Sequence, residues 1–401
     1  MERGRIRILC VTLIALLCGL STSRAESPKW CDSLDHRVSI ELRPAYNMVS
    51  HYALRVGSRP LNSALSLHAR YAFSFSPESR IGSRYPTAYQ GVGVAAYTLW
   101  SHEITGTPMV AYLFQGARIA YFGDLSLGYE WNLGLSWGWH PNDAMNSRMN
   151  VMINVALPLT WRVSDHWELS LTPDYTHFSN GDTSFPNSGT NMFGLRLGAT
   201  YLFDAERTTA SAKRYIAPSD ELQSRSFADH VTYDIILYGS WRADRFMDGD
   251  RFYVVDEALP IVGLNFQPTY QFNDHFGLGA SLDIQADSSL NLYDGVADDK
   301  GNTIGYSRPP LWQQMEVGIS LRGEIRAPIF TLGVGFGLNM LNTGYDSSLC
   351  YTTFSLKAFL TRSLFLYVGY RYNSTQYTHN LMYGVGVRFW LNGQKETCER
   401  G

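Results

Sequence analysis

Polar and apolar residues alternate with a period of two along most of this chain. Between Leu125 and Trp139, one face carries Leu125, Leu127, Tyr129, Trp131, Leu133, Leu135, Trp137 and Trp139. The other carries Ser126, Gly128, Glu130, Asn132, Gly134, Ser136 and Gly138. Successive side chains of a strand point to opposite faces, so the pattern predicts strands with one greasy and one polar side. About sixteen such segments can be marked. The first eight lie near 37–47, 63–75, 90–101, 108–121, 125–139, 150–162, 167–179 and 191–203. The second eight lie near 231–242, 258–271, 276–286, 313–326, 329–341, 351–361, 364–374 and 381–391.

A soluble sandwich would bury the apolar faces. Here the segments are too many and too long, and Trp and Tyr are common at their ends. An inverted arrangement, apolar outside and polar inside, fits a transmembrane barrel. The connections agree. Gly123-Asp124, Val163 to His166, Asn273 to His275, Ala327-Pro328 and Thr361 to Ser363 are tight, whereas long polar loops lie around 140–149, 180–190, 243–257, 287–311 and 342–349. Tight turns mark the periplasmic end of such barrels and long loops the outer end. The connection at 76–89 is longer than that rule predicts.

The two halves repeat one another: Tyr370 to Ser374 echoes Tyr175 to Ser179, and Met382-Tyr383-Gly384-Val385 echoes Met192-Phe193-Gly194-Leu195. The expectation is an all-β fold, a transmembrane antiparallel β-barrel of about sixteen strands built from two eight-strand units, 26–203 and 231–392. Residues 204–230 are a polar periplasmic linker and 393–401 a tail. The alternative is two tandem eight-stranded barrels. Either must close fully, because an unpaired edge is costly in lipid. Inward glycines and the inward charges Glu130, Glu168, Asp174 and Arg196 suit a narrow, filled lumen. The single barrel is preferred, because duplication ordinarily enlarges a sheet.

The N-terminus predicts secretion. Arg3, Arg5 and Arg7 precede an apolar run from Ile8 to Leu20, and Ser23-Arg24-Ala25 forms a cleavage site, giving a signal peptide over 1–25. Of five cysteines, Cys31, Cys350 and Cys398 would remain, without metal-binding spacing. Cys31 and Cys398 lie near termini that meet when a barrel closes, so a disulfide and two free thiols both stay open. A net charge of −3 offers no surface for nucleic acid. Aromatic content of 14% with 35 glycines suits an envelope barrel.

Candidate chemistry lies at His177-Phe178-Ser179-Asn180-Gly181 and at Asn191. The outward parity of Trp167, Leu169, Leu171, Pro173 and Tyr175 continues to His177 and Ser179. Asn191 shares the outward parity of Phe193, Leu195 and Leu197. A serine hydroxyl needs a base, and the base needs a third group to hold its tautomer. His177 can reach Ser179 as an i, i+2 neighbour, Asn191 can orient His177, and Asn180 or nearby backbone amides can support an oxyanion. Against this stands the plain reading that strand ends at an interface tolerate His, Ser and Asn.

At these residues the chain resembles a family. His177-x-Ser179-Asn180, followed by Pro186-Asn187-x-Gly189, is similar to the outer-membrane lipid A 3-O-deacylases, acyloxyacyl hydrolase-like small barrels with a lipid-facing His and Ser. The match is best over about 110–203. That family has a glutamate where this chain has Asn191. A weaker resemblance, H-x-S-N-G with an asparagine twelve residues after the serine, is to outer-membrane phospholipase A. The arginine that helps bind calcium there is Asp182 here, so calcium dependence is not implied.

The reading is therefore an outer-membrane serine hydrolase that cleaves ester-linked acyl chains from lipid A of lipopolysaccharide. Ser179 is the nucleophile, His177 the base, Asn191 the orienter and Asn180 the oxyanion support, with no cofactor or metal. The site faces the outer leaflet. The alternatives are a phospholipase A and a non-catalytic porin-like barrel. The second half keeps Ser374 but has Tyr372 and Thr375 beside it, and reads as a silent copy. Its loop with Asp294, Asp298, Asp299 and Arg308 reads as solvated rather than as a divalent-ion site.

Overall fold

Every segment marked by alternation is a strand in the computed structural model. The structure describes residues 34–48, 54–56, 58–77, 79–203, 227–248, 251–297, 303–341, 344, 346, 348–374 and 378–390. The first unit comprises β1 (Leu34–Asn47), β2 (Ser63–Phe75), β3 (Ala88–Thr98), β4 (Met109–Phe122), β5 (Leu125–Trp137), β6, β7 (Trp167–Ser179) and β8 (Thr190–Leu202). β6 runs as Met149–Ala156 and, past Pro158, as Leu159–Arg162. The second comprises β9 (Val231–Asp248), β10 (Arg251–Gln271), β11 (Phe276–Asp287), β12 (Met315–Arg326), β13 (Phe330–Leu341), β14 (Cys350–Phe359), β15 (Leu364–Asn373) and β16 (Asn380–Phe389).

The all-β barrel class holds, and the pairing of the last strands decides between the two closures. β8 returns to β1, from Arg37 opposite Leu202 to Asn47 opposite Met192. β16 returns to β9, from Tyr233 opposite Phe389 to Gly239 opposite Tyr383. The protein is thus two eight-stranded antiparallel barrels in tandem, and the preferred sixteen-strand ring is corrected. Closure at eight strands leaves an interior just wide enough for side chains. The inward charges find partners across it, which a wide ring would keep apart.

In the first lumen Arg196 reaches Glu41 at 3.1 Å, Glu130 at 2.9 Å and Asp174 at 3.2 Å, while Arg70 joins Glu41 and Glu130 from β2. Nearer the outer end the filling turns apolar, with Tyr97, Trp139, Met152, Phe178 and Met192 in one cluster. The second lumen holds Lys357 and Arg388 against Asp234, and Arg322 against Asp283. Removing one partner from such a network leaves buried charge uncompensated. Arg196→Met is therefore expected to destabilise the first barrel by about 3–5 kcal/mol, read as a lower midpoint for the heat-dependent mobility change of the folded protein on gels.

The structure also departs from the sequence reading in detail. β9 and β10 run on through most of the expected loop at 243–257, and a hairpin, Tyr293–Ala297 with Thr303–Ser307, stands inside the loop at 287–311. The overlong connection at 76–89 carries a short helix, α1 (Arg80–Arg84), capped by the Ser79 side chain. Residues 1–33, 204–226 and 391–401 are outside the described residues, and so are the signal peptide, Cys31, Cys398 and most of the linker. Asp298, Asp299 and the side chain of Asp294 are also outside them.

The barrels touch along a seam. At the end with the tight turns, Tyr85 donates to the Asp274 carbonyl at 2.6 Å and its ring meets His275. Burial pushes the Tyr85 phenol up to about 12, so it stays a donor. Trp131 packs edge-on against Phe330 at 5.1 Å and near Leu356, and donates its indole N–H to Gln115 at 2.7 Å. Gln115 and Trp131 have outward parity yet are buried, because the second barrel covers them.

Candidate active site

β7 sets the site. It pairs with β6 on one side and β8 on the other, placing Ser179 beside Val151 and His177 between Ile153 and Asn191. Phe178 points inward and is fully buried, so the alternation turns His177 and Ser179 outward. The neighbouring wall of β8 presents the exposed Phe193, Leu195 and Leu197.

The structure brings Asn191 and His177 together. Asn191 Oδ1 lies 2.7 Å from His177 Nδ1 and also accepts from the Tyr175 hydroxyl at 2.7 Å. An amide oxygen has no proton to give, so it accepts from Nδ1–H, and in the neutral ring that leaves the lone pair on Nε2. Gly189 closes on the ring from the loop: a Cβ there would stand 2.8 Å from His177 Cε1, and the backbone sits at φ 68°.

Ser179 is not hydrogen-bonded to His177 in this structure. Its Oγ is held instead by Asn187 Nδ2 at 3.0 Å and by the Gly181 backbone N–H at 3.0 Å. Two donors therefore converge on one oxygen. A turn of the serine side chain toward Nε2 would leave both facing the space it vacates, and loose nucleophile–base contacts are common without substrate. Asn187 also accepts from the Asn180 N–H at 3.2 Å and donates to Asp182 at 3.0 Å. Asn180 itself is buried, and its side-chain amide donates to the Ser184 carbonyl. Its side chain thus braces the loop, while its neighbour Gly181 supplies the amide that meets Ser179.

The loop is pinned from outside. Residues 144–146 of the preceding outer loop form a bridge to Asn187 and accept from the Ser188 and Gly189 amides, and Met145 is fully buried there. Asn187 was legible only as part of Pro186-Asn187-x-Gly189, with no role attached. The hydroxyl of Tyr175 was missed, because alternation reads a tyrosine as wall.

Residues 49–200 match the family model of lipid A 3-O-deacylase (PagL), and residues 231–392 match that of the acyloxyacyl hydrolase C-terminal domain. The chain belongs to the lipid A 3-O-deacylase family. It is accordingly an integral outer-membrane barrel protein of a family of ester hydrolases. No curated protein matches the chain in sequence. Solved structures similar to it include Neisserial surface protein A, at 12% identity and TM-score 0.30, covering 41% of this chain and 96% of that one. Another is the Acinetobacter baumannii outer membrane protein Omp33, at 7% identity and TM-score 0.16, covering 89% of this chain and 99% of that one.

The deacylase match falls on the first barrel, and every residue of the site lies within it. In the second barrel the corresponding positions do other work. The Ser374 hydroxyl donates to the Cys350 carbonyl at 3.0 Å, and Tyr372 stacks on His379 with ring centres 4.3 Å apart. Thr375 lies outside the described residues.

Proposed function

We propose that this deacylase-family protein releases an ester-linked acyl chain from lipid A by serine catalysis at the outward face of β7. Ser179 Oγ attacks the ester carbonyl while its proton passes to His177 Nε2. Asn191, braced by Tyr175, keeps the Nδ1–H tautomer that makes this transfer possible. The carbonyl oxygen becomes an oxyanion that Asn187 Nδ2 and the Gly181 N–H are aimed to receive, with Asn180 holding the turn that carries Gly181. The bond to the sugar oxygen then breaks, and His177 returns the proton to that leaving group. Water attacks the acyl-serine, giving its proton to His177; the acyl–Oγ bond then breaks as His177 returns that proton to Ser179 Oγ, and the free fatty acid leaves.

The observation that carries this reading is the convergence of two loop donors on a serine oxygen two residues from a hydrogen-bonded histidine, with serine and histidine both on an outward strand face. Substrate would lie along the apolar wall of β8, with its esters at the strand ends. The packed lumen, with its apolar cluster and ion network, argues against a porin.

Purified protein and Ser179→Ala are incubated with lipopolysaccharide and with phospholipid vesicles, and the lipids are weighed by mass spectrometry. Loss of one ester-linked acyl chain from lipid A with the unmodified protein only is the expected result. Fatty acid released from phospholipid alone would replace the reading with a phospholipase A. Unchanged lipids in every tube would overturn it.

A further inference from the structure

The second barrel reaches the turn beside the nucleophile. Leu381, the second residue of β16, has the outward parity of Val385 and Val387, which are half exposed, yet only 7% of its surface is exposed. Gly181 lies against it: a Cβ built on that glycine would stand 2.2 Å from Leu381 Cδ1. Next to it, the Ala243 amide of β9 donates to the Asp182 carbonyl at 3.0 Å. Gly181 and Asp182 both sit at positive φ, 65° and 64°, so the turn is conformationally demanding and is held from outside its own barrel. Leu381 also precedes Met382-Tyr383-Gly384-Val385 as Asn191 precedes Met192-Phe193-Gly194-Leu195.

We propose that the second barrel is a positioning element of the first barrel's active site: Leu381 and the Ala243 amide clamp the Gly181–Asp182 turn so that the Gly181 N–H stays aimed at the Ser179 oxygen. This inference rests on the serine-hydrolase reading above. The catalytically silent repeat keeps its place because the position matching Asn191 has become a brace for its neighbour's oxyanion donor. Leu381 touches no reacting atom and acts through Gly181 alone. Its loss should therefore slow chemistry without weakening substrate binding.

The test uses the full-length protein in mixed micelles with lipopolysaccharide, comparing wild type with Leu381→Ala, Leu381→Met and Leu366→Ala. Leu366 is an exposed wall residue of β15 and controls for a lost leucine. Each variant is checked for the folded, heat-modifiable band before assay. Leu381→Ala is expected to lower kcat by about 10- to 100-fold, since small misplacements of a catalytic group cost that much, with KM within about twofold. The rate at which an alkyl fluorophosphonate labels Ser179 should fall in parallel, because it uses the same oxyanion donors. Leu381→Met should recover most of both rates, and Leu366→Ala should match wild type. A folded Leu381→Ala with unchanged kcat and labelling beside an active wild type overturns the brace alone. So does a rise confined to KM, which would make Leu381 a substrate contact. A wild type that neither releases acyl chains nor takes up the phosphonate removes the serine-hydrolase reading, and the brace with it.

Discussion

Alanine at Ser179, alanine at His177 and alanine at both are expected to slow acyl release equally, by on the order of 10³-fold or more. The equality is the informative part. If the histidine exists to take the serine proton, then either change removes the whole relay, and the second removes nothing further. Two independent contributions would instead multiply. Initial rates of fatty-acid release, measured with folded protein in excess lipopolysaccharide, give the three numbers. A His177→Ala variant within a few-fold of wild type would mean that Ser179 is not activated by this imidazole. A double variant much slower than either single one would mean that the two side chains act separately. The absence of a direct Ser179–His177 bond in the structure makes this comparison worth doing first.

Asn187→Ala should cost about 10²- to 10³-fold in kcat, the usual effect of deleting one oxyanion donor. Alanine alone is ambiguous, because Asn187 Oδ1 also accepts from the Asn180 backbone and helps shape the turn. Asn187→Asp separates the roles. It keeps an acceptor for Asn180 but removes the Nδ2 donor, and it sets a carboxylate against both Asp182 and the developing oxyanion. The expectation is that aspartate is at least as damaging as alanine while the folded band is retained. An aspartate variant close to wild-type kcat would show that Asn187 serves the loop and not the reaction.

Much of this was legible from alternation. β7 begins at Trp167 and ends at Ser179, as the pattern predicts, because a strand buried on one face by a packed lumen and bathed in lipid on the other cannot slip by one residue without inverting every side chain. The same constraint put His177, Ser179 and Asn191 on one wall. The choice of closing partner was not legible. β8 could satisfy its edge with β1 or with β9, and the alternating pattern is identical in both cases. What separates them is how far Arg196, Glu41 and Glu130 stand from each other, a three-dimensional quantity. Loop residues were equally silent: nothing local in the sequence says that Asn187 folds back onto Ser179, since its position depends on residues 144–146. Gln115 is a different case. An amide at an outward position of an otherwise apolar strand is a sign that this wall meets protein and not lipid.

The seam where Gln115, Trp131 and Phe330 meet also bears on stoichiometry. Inside a bilayer, protein surfaces gain little from leaving lipid tails, so association relies on close packing and on buried polar contacts. Two separate barrels with such a seam would associate according to their surface density. Joined in one polypeptide, they meet at an effective concentration set by the connecting segment. Each molecule thus carries its own partner at a fixed ratio of one to one, and its assembly is indifferent to how sparsely the membrane is populated.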